Sequence, residues 1–165
     1  MDRSLQIIEV IEKNPGIKFR EIMRETGMKN GVLGYYTSKL EKNGTVKVER
    51  KSRQTRFFPP GVLDSDILTI KNLRQETPRQ ILKALLKYEI LSFSDLVDSV
   101  KKSPATVSLY LTQLTRDGIV ESKFINLKKH HYIKDVEKIT KIIDKYQPGL
   151  IERSADRLAD TFSSL

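Results

Sequence analysis

Cysteine is absent from this chain of 165 residues. Its absence removes disulfides, thiol catalysis and cysteine-ligated zinc together. Nowhere do 18 apolar residues follow one another, so no segment reads as a membrane span, and no membrane partner is expected. The opening residues, MDRSLQIIEVIEKNPG, set acids inside the apolar run and offer no small-residue cleavage site; they do not read as a signal peptide. Glycine-rich phosphate loops, Ser-His-Asp spacing and His-Glu metal motifs are also missing, so neither catalysis nor a cofactor is expected. The only histidines are the neighbours His130 and His131. Adjacent strand residues point to opposite faces and no third ligand is apparent, so no metal site is expected. Acids are in deficit: 21 Asp and Glu against 30 Lys and Arg leave a net charge of +9. Such a surplus draws a protein towards polyanions.

What is present is written twice. A shift of 74 residues sets Gln6 on Gln80, Ile7 on Ile81, Phe19 on Phe93, Tyr36 on Tyr110, Leu40 on Leu114 and Gly44 on Gly118. Conservative pairs fill the intervals, Ile22 with Leu96 and Leu33 with Val107 among them, and no insertion is needed. An internal duplication follows, with units at roughly 1–61 and 75–135.

Both units share one grammar. In the second, Thr77-Pro78-Arg79-Gln80 reads as a capping box opening a helix with Ile81, Leu82, Leu85 and Leu86 at helical spacing. Ser92 caps a second helix, and Ser103-Pro104 a third that carries Val107, Tyr110, Leu111 and Leu114 on one face. Asp117-Gly118 ends it, because glycine accepts the left-handed conformation beyond a helix end. Strands over 119–125 and 130–134, joined by 126–129, complete the unit. The first unit repeats this with helices over 4–13, 19–26 and 30–42, the last capped at Lys29 or Asn30, then strands near 46–50 and 55–59. Residues 61–75 (GVLDSDILTIKNLRQ) are too apolar for a flexible linker and read as a connecting helix.

Three helices followed by a two-stranded ribbon is the order of a winged helix-turn-helix. SPATVSLYLTQLTRDGIV (103–120) resembles the third-helix signature of ArsR- and MarR-type regulators, and NGVLGYYTSKLEKNGTVKVERKSRQTRFFP (30–59) is similar to the archaeal branch of that group. The resemblance implies a mainly α fold with small β-wings and two tandem winged helix-turn-helix domains (1–61 and 76–135); outside it, apolar spacing reads 62–75 as a connecting helix and 136–165 as C-terminal helices. It also implies a sequence-specific double-stranded DNA-binding regulator of transcription, usually dimeric; the lack of cysteines, membrane span and signal peptide makes a cytoplasmic, nucleoid-associated protein the expectation. Two rivals stay open: a tandem winged-helix protein adaptor, and a sequence-independent chromatin protein. Nothing legible identifies a small-molecule effector.

The residues assigned to DNA follow from helix faces and charge. On the first third helix, Leu33, Tyr36, Thr37 and Leu40 share the inward face, leaving Lys29, Asn30, Gly31, Tyr35, Ser38 and Lys39 for a major groove. Tyr35 stands between a groove contact and plain exposure. On the second, Ser103, Ala105, Thr106, Ser108, Thr112 and Gln113 are assigned, Gln113 as a bidentate partner for adenine. Five wing cations (Lys47, Arg50, Lys51, Arg53, Arg56) against Glu49 favour phosphate contact; Lys51, Arg53, Gln54 and Arg56 are the wing residues assigned, with Lys128 and Lys129 in the second copy. Beyond the second unit, Ile151, Ala155, Leu158 and Phe162 alternate at spacings of four and three, a seam expected to serve dimerisation.

Overall fold

The computed structural model describes residues 2–51 and 53–146; the seam Ile151, Ala155, Leu158 and Phe162 lies outside the described residues. Contacts divide the chain between Ile67 and Leu68 into two compact units.

In the first unit α1 (Arg3–Lys13), α2 (Phe19–Thr26) and α3 (Asn30–Lys42) are followed by β2 (Lys47–Glu49) and β3 (Arg56–Phe58), while a short β1 (Ile17–Lys18) precedes α2. The helices form because apolar residues recur every three or four positions, and their inward rows meet. Ile7 and Ile11 from α1, Ile22 from α2, and Leu33 and Leu40 from α3 join Ile17, Val46 and Phe57 in one core cluster. Removing an Ile or Leu side chain fully from water contributes about 1.5–3 kcal/mol, so this cluster is what closes the unit. Tyr36 packs against it from the rim. The sheet has the order β1-β3-β2, antiparallel, with Ile17 opposite Phe57 and Val48 opposite Phe57 on the other side.

The second unit contains α5 (Glu76–Tyr88), β4 (Ile90–Ser92), α6 (Phe93–Val100), α7 (Pro104–Arg116), β5 (Val120–Ile125) and β6 (Lys128–Ile133), with sheet order β4-β6-β5. Ile81, Leu82, Leu96, Val107 and Leu114 are wholly buried in it. A further helix over 136–146 buries Ile139 and Ile142. The division between units falls inside α4 (Asp64–Arg74).

The duplication is carried into the fold. Adding 74 to the bounds of α2 and α3 gives those of α6 and α7 without a residue of drift. Gly44 and Gly118, one after each C-terminal turn, have φ 76° and 75°, a conformation in which a Cβ is strained.

Three local readings change. The cap expected at Thr77, with Pro78 as first helical residue, is displaced: α5 begins at Glu76 with Gln75 as its cap, and no side-chain cap bond forms. Pro78 fits there because the first amide bonded within the helix is that of Arg79, to the Gln75 carbonyl at 3.1 Å, so the missing proline N–H costs nothing. In α3 the cap position is Lys29, again without a side-chain bond, and Asn30 is the first helical residue. The short strands β1 and β4, absent from the sequence reading, each add a third strand to a wing; two or three residues are too few to show a period.

Candidate nucleic-acid interface

The face of α3 opposite the core is open to solvent. Gly31, Tyr35, Ser38, Lys39 and Lys42 are exposed along it, whereas Leu33, Thr37 and Leu40 are buried. Thr37 is tolerated inside because its hydroxyl donates to the Leu33 carbonyl at 2.8 Å. The paired tyrosines divide: Tyr35 is 63% exposed, and Tyr36 packs on the core with its ring edge-on to that of Tyr35, centroids 5.2 Å apart. Lys29 and Asn30 are also exposed, at the start of the helix.

The first wing is less cationic at its surface than its composition implies. Arg56 is buried, 6% exposed, and its Nη1 donates to the Gly16 carbonyl at 2.8 Å while Nη2 donates to Gln54 Oε1 at 3.3 Å. Burial pushes the pKa of its guanidinium down; the carboxylates of Glu21 and Glu49 oppose that. The assignment of Arg56 to DNA is therefore corrected: it bridges β3 to the turn before β1. Arg50 forms a two-pronged pair with Glu41, at 2.7 and 2.5 Å, and Lys47 pairs with Asp64. Those contacts hold the Glu41 and Asp64 carboxyls below their usual range, in each case chiefly through the hydrogen bond itself. Lys51, Arg53 and Gln54 remain on the exposed tip.

In the second unit Ser103 caps α7, accepting from the Thr106 amide at 3.2 Å and donating to the Thr106 hydroxyl at 2.9 Å. Ala105, Ser108, Leu109, Thr112 and Arg116 are exposed on the outer face; Thr112 donates its hydroxyl to the Ser108 carbonyl. Gln113 is corrected. Its Nε2 donates to Asn72 Oδ1 at 2.8 Å and Gln75 Oε1 at 3.3 Å, so the amide is bound inside the unit rather than turned outward for adenine. Asn72, 1% exposed, also donates to the Leu68 carbonyl at 2.8 Å and Asp117 Oδ2 at 2.9 Å. Asn72→Ala strands several polar groups at once, and a loss of about 2–3 kcal/mol is expected in urea unfolding. A change below about 0.5 kcal/mol would show that this network does not hold α7.

Between α7 and β6 lies a cleft of about 590 Å³, lined on the helix side by Ser108, Thr112 and Arg116 and on the sheet side by Lys129 and His131, with Phe93 and Leu111 as apolar lining. His131 is buried, and desolvation, then the charges of Lys129 and His130, hold its imidazole below the usual histidine range. The cleft presents hydroxyls and cations together, the donors that phosphate oxygens take. The second wing also departs from the reading of its loop. Lys128 and Lys129 belong to β6, and only Asn126 and Leu127 make the turn, at φ 51° and 66°. Sequence reasoning missed the tip residues Phe124, Ile125 and Leu127, which are 72%, 38% and 98% exposed. The signal was available, because the 74-residue shift lays Leu127 on Arg53.

Residues 1–66 match a family described as an N-terminal HTH domain, and residues 75–122 match the bacterial regulatory protein, arsR family. Both are helix-turn-helix families of DNA-binding regulators rather than of enzymes. Among solved structures, HlyU from Vibrio cholerae N16961 is similar at 25% identity and a TM-score of 0.43, over 50% of this chain and 91% of that one. No curated protein matches the chain. Among the described residues, no helix is long and apolar enough to cross a membrane.

Proposed function

We propose that this DNA-binding transcription regulator, which carries two winged helix-turn-helix domains in tandem, reads a specific duplex sequence with α3 and α7 in major grooves and its wings on flanking backbone or minor groove. The observation that carries the reading is the division of both third helices. Each is 13 residues long, with one face in the core and the other an exposed row of small, hydroxyl and cationic side chains. A helix of that width fits a B-form major groove, where such side chains meet phosphates and base edges. On α3 the row is Gly31, Tyr35, Ser38 and Lys39; on α7 it is Ala105, Ser108 and Thr112, with Lys129 across the cleft. The chain acts as a homodimer in this reading, through its C-terminal residues.

Selection of bound fragments from random duplex tests it. The wild type is expected to enrich one motif, and a Tyr35→Ala, Ser38→Ala, Lys39→Ala variant to lose one part of that motif. Recovery without any motif would leave a sequence-independent binder. Leu109, 64% exposed on the outer row of α7, favours a second reading in which unit two docks a protein. A recovered motif that does not change in Ser108→Ala, Thr112→Ala would support that alternative for the second unit.

A further inference from the structure

The two wings are built to one plan and end in opposite chemistry. Under the 74-residue shift, Arg50, Lys51 and Arg53 of the first tip fall on Phe124, Ile125 and Leu127 of the second. Arg53 and Leu127 even share a backbone state, with φ 63° and 66°. Three cations are matched by three apolar side chains, at one apex.

Neither folding nor packing accounts for a leucine there. A bulky residue at positive φ is strained by the clash of its Cβ with the backbone, and two-residue hairpin turns favour Asn-Gly. Leu127 is 98% exposed, so no burial offsets the strain. The hairpin also projects. β4 pairs with β6 only over His130–Tyr132, whereas the β5–β6 ladder continues through Phe124 opposite Lys129 and Ile125 opposite Lys128. Two further residues of each strand carry the turn about 7 Å past the third strand.

We propose that the second wing tip is an apolar wedge that enters a DNA minor groove and kinks the duplex there, Leu127 leading and Phe124 behind it. The inference rests on the reading of this chain as a duplex binder. Orientation and charge favour that occupant. Cross-strand partners share a face, so Phe124 lies on the side of Lys129 and His131, which line the cleft with α7. The wedge thus faces the way the third helix does. Lys123, Lys128 and Lys129 surround it, all exposed, ready to neutralise the phosphates on either side of an opened base step. Apolar side chains inserted in this way unstack a step and bend DNA by about 20–90°. The first tip, with Arg53 at its apex, has the chemistry for a narrow minor groove without opening it.

The test is the bend in a duplex recovered by the wild-type chain from random fragments, labelled at both ends and read by energy transfer. Leu127→Gly restores the preferred turn dipeptide, so it folds at least as well as the wild type; Phe124→Ser is the second variant. The wild type is expected to shorten the end-to-end distance, and each variant to lose about half of the bend or more while affinity falls about tenfold or less. A bound but straight wild-type duplex, or a bend unchanged in Leu127→Gly, overturns the wedge and leaves the duplex binder standing. Failure to recover any duplex overturns both. Binding to phosphatidylglycerol vesicles that Leu127→Gly abolishes, with the bend intact, assigns the tip to lipid and overturns the wedge as well.

Discussion

Arg56→Ala is expected to cost the first unit about 3 kcal/mol or more, whereas Arg53→Ala, three residues away, leaves its stability within about 0.5 kcal/mol. Composition gives these arginines the same standing. In the fold, one is interior and the other at the apex. Arg56 supplies the donor for the Gly16 carbonyl and a positive charge among Glu21 and Glu49; Glu21 itself is 5% exposed. Truncation removes one member of a buried charged group, a change that typically costs about 3–5 kcal/mol because the other charges stay inside. Arg56→Lys recovers only part, since an ammonium lacks the fork that reaches both Gly16 and Gln54. Urea unfolding of the three variants decides it, and an Arg56→Ala loss below about 1 kcal/mol would return that side chain to the surface.

The affinity for any duplex is expected to fall steeply with salt, and the slope to depend on which cations are removed. Six assigned cations are exposed: Lys29, Lys39, Lys51, Arg53, Lys128 and Lys129. If each neutralises one phosphate, log K falls with log salt at a slope of about −5, roughly a thousandfold between 50 and 200 mM. Lys51→Ala with Arg53→Ala should reduce that slope by about two. Lys47→Ala with Arg50→Ala should barely change it, because those cations are held by Asp64 and Glu41. Equal effects of the two pairs would show that the ion pairs dissolve on DNA. A flat salt response would remove the electrostatic basis of the interface altogether.

The parts of this fold legible in sequence were those with a period or a punctuation mark. Ser92 and Ser103 cap as their hydroxyls dictate, and Gly44 and Gly118 end helices as left-handed glycine does. The inward rows of α3 and α7 follow from a spacing of three and four. What failed to show was long-range. Arg56 is separated by 40 residues from the carbonyl it serves, and Gln113 by 41 from the asparagine that engages it. No local pattern records such partners, so both were read as surface. β1 and β4 become strands only because β3 and β6 lie beside them. The apex of the second wing is a different case: Leu127 was visible in the repeat, and only its exposure and backbone state make it matter.

The unlike apices make the two copies specialists. Had the duplication stayed faithful, exchanging its halves would leave the protein's reading of DNA unchanged. With Arg53 at one tip and Leu127 at the other, the two copies would ask different things of any base step they met. The copies are therefore not interchangeable: one has kept a tip that suits an intact groove, and the other a tip that suits an opened one.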